Sequence, residues 1–275
     1  MPSYAADVLR RYSYGKESKV NLIITGSHGF LGQHLCFRLE QMGHSLIRVP
    51  HRDMDYTVFT HPFDWLFHLA AYGNHYHQTD NREMLLANIV NLADILNLTK
   101  EVDYKAFINF STSSVTLPKL TMYAATKAGG EQLVKGYIST YNKPIINVRP
   151  YSIYGPGEAG FRFIPTVFRS CMYQTNMILT PNAVHDWIYI EDFIDALLLQ
   201  LEKPNPVTVE IGTGVKTSNL DIVREIELIT GNKCKYTLSP VLRPYDSPDW
   251  VCRNPPENWK PKHSLQEGLI KVYES

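Results

Sequence analysis

The stretch that decides the fold is KVNLIITGSHGFLGQHLCFRLEQMG, residues 19–43. Its first part is a short apolar run closed by Gly26, which suits a strand buried on both faces. FLGQHLCFRLEQMG then places apolar residues at helical spacing and stops at Gly43, as a helix closed by glycine does. Between strand and helix lie Gly26, Gly29 and Gly32, spaced G-x-x-G-x-x-G. Glycines there let the backbone turn tightly and let a pyrophosphate lie against amide N–H groups at a helix N-terminus. The commonest dinucleotide fingerprint is G-x-G-x-x-G, so the triplet alone is weak evidence. Its weight comes from the strand before it and the helix after it.

Outward from this unit, HSLIRVP, FDWLFHLAA, KAFINFSTSS and PIINVRPYSIYG read as strands. REMLLANIVNLADILNLTKE and MYAATKAGGEQLVKGYIST read as helices. Strand and helix alternate to about residue 155, the pattern of a parallel sheet covered on both faces. Beyond it come a helical RFIPTVFRSCMYQT, a strand and helix in HDWIYIEDFIDALLLQLE, a strand in VTVEIGTG, and a helix in SNLDIVREIELITG with Ser218 as N-cap. The fold class expected is α/β, a Rossmann-type doubly wound parallel sheet with a smaller, mixed C-terminal substrate-binding region. Residues 1–19 form an extension with a short helix over 5–14. Residues 20–155 form the dinucleotide-binding core. Residues 156–275 are mainly substrate-binding, with segments around 184–215 returning to the core. The proline- and tryptophan-rich tail VLRPYDSPDWVCRNPPENWKP suits a pocket-building loop.

Composition narrows the function. Of 275 residues, 27 are basic and 27 acidic, so nothing in the net charge favours nucleic acid or an anionic membrane. No apolar run approaches the ~20 residues that cross a bilayer, and the first residues lack the apolar core of a secretory leader. A soluble, cytoplasmic protein is expected. Cys36, Cys171, Cys234 and Cys252 are far apart in sequence and form no C-x-x-C, so they read as reduced packing residues. His68, His75 and His77 lack a suitably spaced carboxylate or cysteine partner, and no metal is expected.

The second strand should end near the adenosine ribose, where an acid holds the 2′-hydroxyl of NAD and a basic residue suits the 2′-phosphate of NADP. The sequence there is RVPHRDMD. Pro50 stands where the acid is expected, and His51 and Arg52 follow. Arginine is well suited to phosphate, so NADP is the cofactor expected; NAD is the alternative, with Asp53 on the ribose.

MYAATK sets Tyr123 one helical turn before Lys127, on one face. Thr112, at the end of the preceding strand, lies eleven residues earlier. A phenol can serve as acid or base at a carbinol or ketone oxygen, and a nearby ammonium favours its phenolate form. The threonine hydroxyl can bond the same oxygen, while a nicotinamide cofactor carries the hydride.

With these residues in place, the chain resembles the extended short-chain dehydrogenase/reductases, the NAD(P)-dependent epimerase/dehydratase group. The resemblance runs from about residue 20 to the C-terminus. TGSHGFLG is similar to the group's TGxxGxxG loop, FHLAA to its H-x-A-A segment, and MYAATK to its YxxxK. VRPYSIYGPGE, HDWIYIEDFIDAL, VEIGTG and WKPKHSLQEGL resemble its later segments, in order. The resemblance implies Thr112, Tyr123 and Lys127 as the catalytic set, with Lys127 also on the cofactor ribose. It implies Gly26, Gly29, Phe30, Leu31 and Gly32 at the pyrophosphate, Leu69, Ala70 and Ala71 along the cofactor, and Asn88 in the following helix. Pro150 and Tyr151 would flank the nicotinamide. Tyr72, Asn74, Ser152, Arg162 and Arg243 are the substrate-side candidates, and Arg243 is the better candidate than Arg162 for a substrate diphosphate. A nucleotide-sugar substrate and a homodimer are also implied.

The departures are informative. Dehydratases of the group carry Asp-Glu after the threonine, and here Ser113 and Ser114 stand there, which argues against 4,6-dehydration. Ser152 replaces the group's substrate-side asparagine, and His185 replaces an arginine. Epimerase and 4-ketoreductase both remain open. Two rivals are a reductase of a non-nucleotide ketone and a non-catalytic dinucleotide-binding protein.

Overall fold

A computed structural model of the chain describes residues 21–50, 55–200, 208–239 and 246–275. The helix expected over 5–14, the His51-Arg52-Asp53 stretch and Arg243 lie outside the described residues. The chain divides into two compact units. The first contains the described residues within 21–116, 120–149 and 194–209; the second contains those within 117–119, 150–193 and 210–275.

The first unit opens with strand β1 (Asn21–Thr25), helix α1 (Phe30–Gln41) and strand β2 (Ser45–Val49). Gly43, with φ +85°, reverses the chain after α1 in the left-handed conformation glycine tolerates best. Strand β3 (Trp65–His68) follows, then two α-helical pieces, α2 (Asn81–Leu85) and α3 (Asn91–Thr99). Strand β4 (Ala106–Phe110), the long helix α4 (Met122–Tyr141) and strand β5 (Ile145–Pro150) complete the alternation. A later strand, β10 (Thr208–Ile211), joins the sheet, whose order is β10-β5-β4-β3-β1-β2. The pairings from β2 to β5 are parallel. The expected Rossmann-type sheet is therefore present, and its order reverses between β1 and β3, where ligands of such sheets bind at the carboxyl ends.

Burial explains why these runs are strands. β3 and β4 are buried at every residue, and β1 at all but its first, as a sheet covered on both faces requires. One face carries Ile23, Leu66, Phe107 and Ile145, packed with Leu92, Ile95, Leu96 and Val134 from the helices.

Two elements differ from the sequence expectation. The helix expected over REMLLANIVNLADILNLTKE is interrupted by a π-helical turn at Leu86–Val90. The turn contains Asn88, whose side chain is committed to groups outside its own helix. A π-turn inserts a residue and re-aims side chains, which periodicity alone does not reveal. PIINVRPYSIYG is not one strand. Pro150 has no N–H to continue the ladder. The chain bends at Tyr151, and Ser152–Tyr154 (β6) leaves for a different sheet.

The second unit is built from helix α5 (Phe163–Tyr173), short strands β7 (Met177–Leu179), β8 (Val184–His185) and β9 (Trp187–Tyr189), and the start of helix α6 (Ile190–Leu199). It continues with β11 (Thr217–Ser218), α7 (Asn219–Thr230), β12 (Tyr236–Leu238) and α8 (Leu265–Tyr273). Its strands form three pairs: β6 with β9, β8 with β11, and β7 with β12. Ser218 and Asp221 form a reciprocal cap at the start of α7, as the sequence predicts for Ser218. The cysteine reading needs correction here. Cys171 and Cys234 are joined as a disulfide, whereas Cys36 and Cys252 are free and buried. A separation of 63 residues hid the pair. α5 and the segment before β12 bring the two together, with Ser170 Oγ bonded to the backbone of Lys235 on both sides, at 2.9 Å each.

Candidate active site

The glycine loop is shaped by contacts a side chain would destroy. Gly26 has φ +67°, and a Cβ there would lie 2.8 Å from the Ala70 nitrogen. A Cβ on Gly32 would lie 2.3 Å from the Gly26 carbonyl oxygen. The Gly29 N–H donates to the Gly26 carbonyl at 3.0 Å, and Gly29 then caps α1 with no side chain. No acid stands in the first turn of α1. Its N-terminal N–H groups therefore face outward with positive partial charge, suited to an anion. Phe30 and Leu31, in that first turn, are half-buried.

The ends of β1 and β3 are stitched across the sheet's reversal point. Thr25 Oγ1 accepts the Ala70 N–H at 3.2 Å and shares a proton with His68 Nδ1 at 2.8 Å. The Leu69 N–H reaches the Thr25 carbonyl at 3.3 Å. Gly26, Gly29, Gly32, Leu69 and Ala70 are thus brought together, with Ala71 half-buried just beyond. The cradle fits a dinucleotide, since bare backbone and a helix N-terminus line it.

The Asn88 side chain is bonded within the first unit. Its amide donates to the Tyr72 carbonyl at 2.8 Å and to Thr126 Oγ1 at 2.9 Å, and its oxygen accepts the Tyr72 N–H at 3.1 Å. It clamps the loop after β3 to α4. Tyr72 is half-buried in that loop and Asn74 is exposed. Gly129 and Gly130 of α4 admit the neighbouring helical segment. A Cβ on Gly129 would lie 2.8 Å from Ile89 Cδ1, and one on Gly130 3.2 Å from the Asn88 carbonyl oxygen.

Thr112, Tyr123 and Lys127 all belong to this first unit. Thr112 follows β4, where its Oγ1 accepts the Ser114 N–H at 3.2 Å and lies 3.0 Å from Ser114 Oγ. The 3₁₀ turn Ser113–Thr116 then packs against α4. Thr121 caps α4 through its side chain, and Tyr123 is half-buried in the helix's first turn. Lys127, one turn on, is 5% exposed. Burial pushes its ammonium down to about 8, and the charge of Glu131 only partly offsets this. Burial, and next the charge of Lys127, push the His68 imidazole down to about 3, so His68 is neutral near pH 7. Lysine held near neutrality is the state in which this side chain can both donate to a ligand and respond to its surroundings.

The second unit contains the other candidates. Tyr151 is buried, and its hydroxyl donates to Glu210 Oε2 at 3.4 Å. Burial, then the Glu210 charge, raise its phenol well above the usual range. The Ser152 N–H donates to the Asp186 carbonyl at 2.9 Å, and Ser152 Oγ lies 3.4 Å from His185 Nδ1. Arg162 precedes α5 and pairs with Glu158 at 3.4 Å. Burial pushes the Glu158 carboxyl up to about 7, against the pull of Arg162.

Among the buried carboxylates that were not singled out from sequence are Asp186 and Glu131. Asp186, fully buried, accepts the N–H groups of Thr213, Gly214 and Cys252 and the Thr213 hydroxyl, at 2.6–3.1 Å. Glu131 accepts from Ser111 and Arg149. The second was legible, because Tyr123, Lys127 and Glu131 repeat every four residues on one helical face. Asp186 gave no such signal, since its partners come from loops distant in sequence.

A parallel sheet with a glycine loop at its reversal point and a Thr/Tyr/Lys set in the same unit defines a dinucleotide-dependent oxidoreductase class. Residues 22–212 match the NAD dependent epimerase/dehydratase family, and the chain belongs to it. It is an NAD(P)-dependent enzyme of the extended short-chain dehydrogenase/reductase type. The chain is 25% identical to a protein of Bacillus subtilis described as an uncharacterized UDP-glucose epimerase, over 91% of this chain and 96% of that one. It is similar in structure to UDP-glucose 4-epimerase of Thermotoga maritima with UDP-glucose, at a TM-score of 0.83 and 21% identity, covering 92% of this chain and 97% of that one. It is also similar to UDP-glucuronic acid 4-epimerase of Bacillus cereus in complex with UDP-glucuronic acid and NAD, at a TM-score of 0.78 and 21% identity, covering 92% of this chain and 98% of that one. Among the described residues no helix is long and apolar enough to cross a membrane.

Proposed function

We propose that the protein moves a hydride between nicotinamide and a sugar carbon, most simply C4, of a nucleotide-sugar, and that it is a 4-epimerase. The observation that carries this reading is the Tyr123 phenol one turn ahead of a buried Lys127, in the same unit as the glycine loop and Thr112. NAD or NADP bound along Gly26, Gly29, Phe30, Leu31, Gly32 and Leu69–Ala71 would supply the hydride acceptor. Tyr123 takes the proton of the sugar hydroxyl as that carbon is oxidised and returns it as the carbon is reduced. Lys127 would donate to the cofactor ribose, and its charge would favour the Tyr123 phenolate. Thr112 bonds the same sugar oxygen. Pro150 and Tyr151 would hold the nicotinamide end of the cofactor, and Asn88 would steady the loop after β3. Tyr72, Asn74, Ser152, Arg162 and Arg243 are assigned to the substrate, the arginines to its diphosphate. Ser113 is buried and Ser114 is engaged with Thr112, so neither position offers an acid for dehydration.

One observation favours a second reading, an NADPH-dependent 4-ketoreductase: Pro50, His51 and Arg52 replace the acid expected at the end of β2. The assay that separates them uses UDP-glucose and UDP-4-keto sugars with each cofactor. Interconversion of UDP-glucose and UDP-galactose without added reductant supports the epimerase. Stoichiometric NADPH consumption only with the keto sugar supports the reductase, and no turnover of either sinks both.

We also infer a homodimer. Leu85, Leu86 and Val90 are 44, 38 and 42% exposed beside α2 and α3, and Met122 at the start of α4 is 38% exposed. Such an apolar stripe is suited to the same helices of a second copy. Light scattering at micromolar concentration should give twice the chain mass.

A further inference from the structure

Glu131 has no part in the chemistry assigned above, yet it stands one turn past Lys127 and is bonded by the residue before Thr112. It is 2% exposed. Ser111 Oγ donates to its Oε1 at 2.6 Å, Arg149 Nε to the same oxygen at 2.8 Å, and Arg149 Nη2 to Oε2 at 2.7 Å. Ser111 is the residue before Thr112. Arg149 lies near the end of β5, and Glu131 is one helical turn past Lys127 on α4. One carboxylate therefore ties the ends of two strands to the helix that carries Tyr123. A buried ion pair is a poor way to gain stability, because desolvation offsets most of the attraction. The same pair is an effective way to fix geometry, since a forked arginine bond defines both distance and plane.

The charges around Lys127 point the same way. Glu131 faces it from its own helix, His68 from the end of β3 is neutral, and Arg149 and Lys135 face Glu131 in turn. Burial raises the Glu131 carboxyl, but Arg149, Ser111 and Lys135 outweigh it and keep the group ionised. Glu131 is the negative charge that supports the Lys127 ammonium against burial.

We propose that Glu131 is a positioning residue of the hydride-transfer centre. Held by Arg149 and Ser111, it locks the strand end bearing Thr112 to the helix bearing Tyr123 and Lys127. The proposal rests on the hydride-transfer reading above.

The test compares Glu131→Gln, Glu131→Asp, Ser111→Ala and Tyr123→Phe with the wild type. NAD binding is followed across pH by quenching of tryptophan fluorescence, and turnover is measured with UDP-glucose. In Glu131→Gln the alkaline loss of NAD affinity should begin about one pH unit lower, because the supporting charge is gone. Its kcat should fall roughly tenfold or more with KM within about twofold, the mark of lost alignment. Glu131→Asp keeps the charge and should restore the pH midpoint while kcat stays low. A Glu131→Gln protein that melts like wild type and keeps its pH midpoint and kcat overturns the proposal. If that variant does not fold, Ser111→Ala and Glu131→Asp decide: lowered kcat at unchanged KM supports the proposal, and wild-type kcat in both overturns it. Turnover retained in Tyr123→Phe sinks the hydride-transfer reading instead, and the NAD-binding profiles still report on Glu131.

Discussion

Glu131 in the first unit and Asp186 in the second are both almost fully buried, at 2% and 0% exposure, and both accept several short hydrogen bonds. Their partners differ in kind. Glu131 is held by a serine and a guanidinium, and it stands one turn from Lys127. Asp186 is held by three backbone N–H groups and one hydroxyl, drawn from the 213–214 turn and Cys252. A carboxylate answered by side-chain charge can tune the ionisation of its neighbours. One answered by backbone N–H groups has its effect on the path of the chain. The first unit thus has its buried charge one turn from Lys127, and the second uses its own to join loops. Gly212 makes the same point: a Cβ there would lie 2.6 Å from Asp186 Oδ2 and 2.7 Å from Cys252 Cβ.

The largest test of this contrast is Tyr123→Phe. It removes one oxygen from the first unit and none of the bonds around Glu131. Turnover of UDP-glucose should fall about 10²–10⁴-fold, the usual contribution of a positioned acid/base, with the melting temperature nearly unchanged. Wild-type turnover would reduce Tyr123 and Lys127 to packing residues and end the distinction.

Asp186→Asn is the matching change in the second unit. The amide cannot accept all the bonds the carboxylate takes, and its own N–H group enters a buried site lined with donors. A cost of about 3 kcal/mol is expected, read as a roughly 5–10 °C fall in melting temperature. NAD affinity at a temperature where the protein is folded should stay within about threefold, because every bond of the Asp186 carboxylate named above is to a residue of the second unit. A large loss of NAD affinity with intact stability would reverse the roles given to the two carboxylates.

How far each region could be read from sequence follows the same line. The first unit is built from local signals: apolar runs for β1, β3 and β4, glycines at a strand–helix turn, and the four-residue step from Tyr123 to Lys127. Each can be read within a window of a few residues, and the structure places strands and helices there. The π-turn at Leu86–Val90 escaped because its cause, the Asn88 side chain reaching Tyr72 and Thr126, is tertiary. In the second unit most causes are tertiary. Asp192 binds the N–H groups of Lys262 and His263, Tyr154 bonds the Leu265 carbonyl, and Cys171 finds Cys234, all across more than 60 residues. Helices with local caps, such as the one after Ser218, were readable there; the short strand pairs were not.

A smaller effect separates glycines that shape the cradle from those that only turn the chain. Gly32→Ala puts a methyl 2.3 Å from the Gly26 carbonyl oxygen, so α1 must move away from the loop. NAD affinity should drop about tenfold, with a stability cost of roughly 1–3 kcal/mol. Gly43→Ala has open space around it but a φ of +85°, so it should cost about 1 kcal/mol and leave NAD affinity alone. Equal effects of the two on NAD affinity would mean that the close approach at Gly32 does not shape the site.

The smallest expected effect is a pH dependence, and it carries two opposite signs. The Lys127 ammonium is pushed from its ordinary 10.5 down to about 8, chiefly by burial. Between those values the unfolded chain holds a proton that the folded chain has released. The unfolded state binds more protons there, so this group makes folding more favourable as pH rises from 8 to 10.5. Loss of the same proton takes a charged donor away from the cofactor ribose. NAD affinity should therefore be flat from about pH 6 to 7 and fall several-fold by about pH 9.5, while the Lys127 contribution to stability moves the other way. Lys127→Met separates the two effects. It removes the titrating charge from the interior, so the rise in stability through this window should vanish, and NAD should bind weakly at every pH with no inflection near 8. Weak binding that keeps the inflection would assign the titration to another group and leave Lys127 as a donor whose charge does not matter.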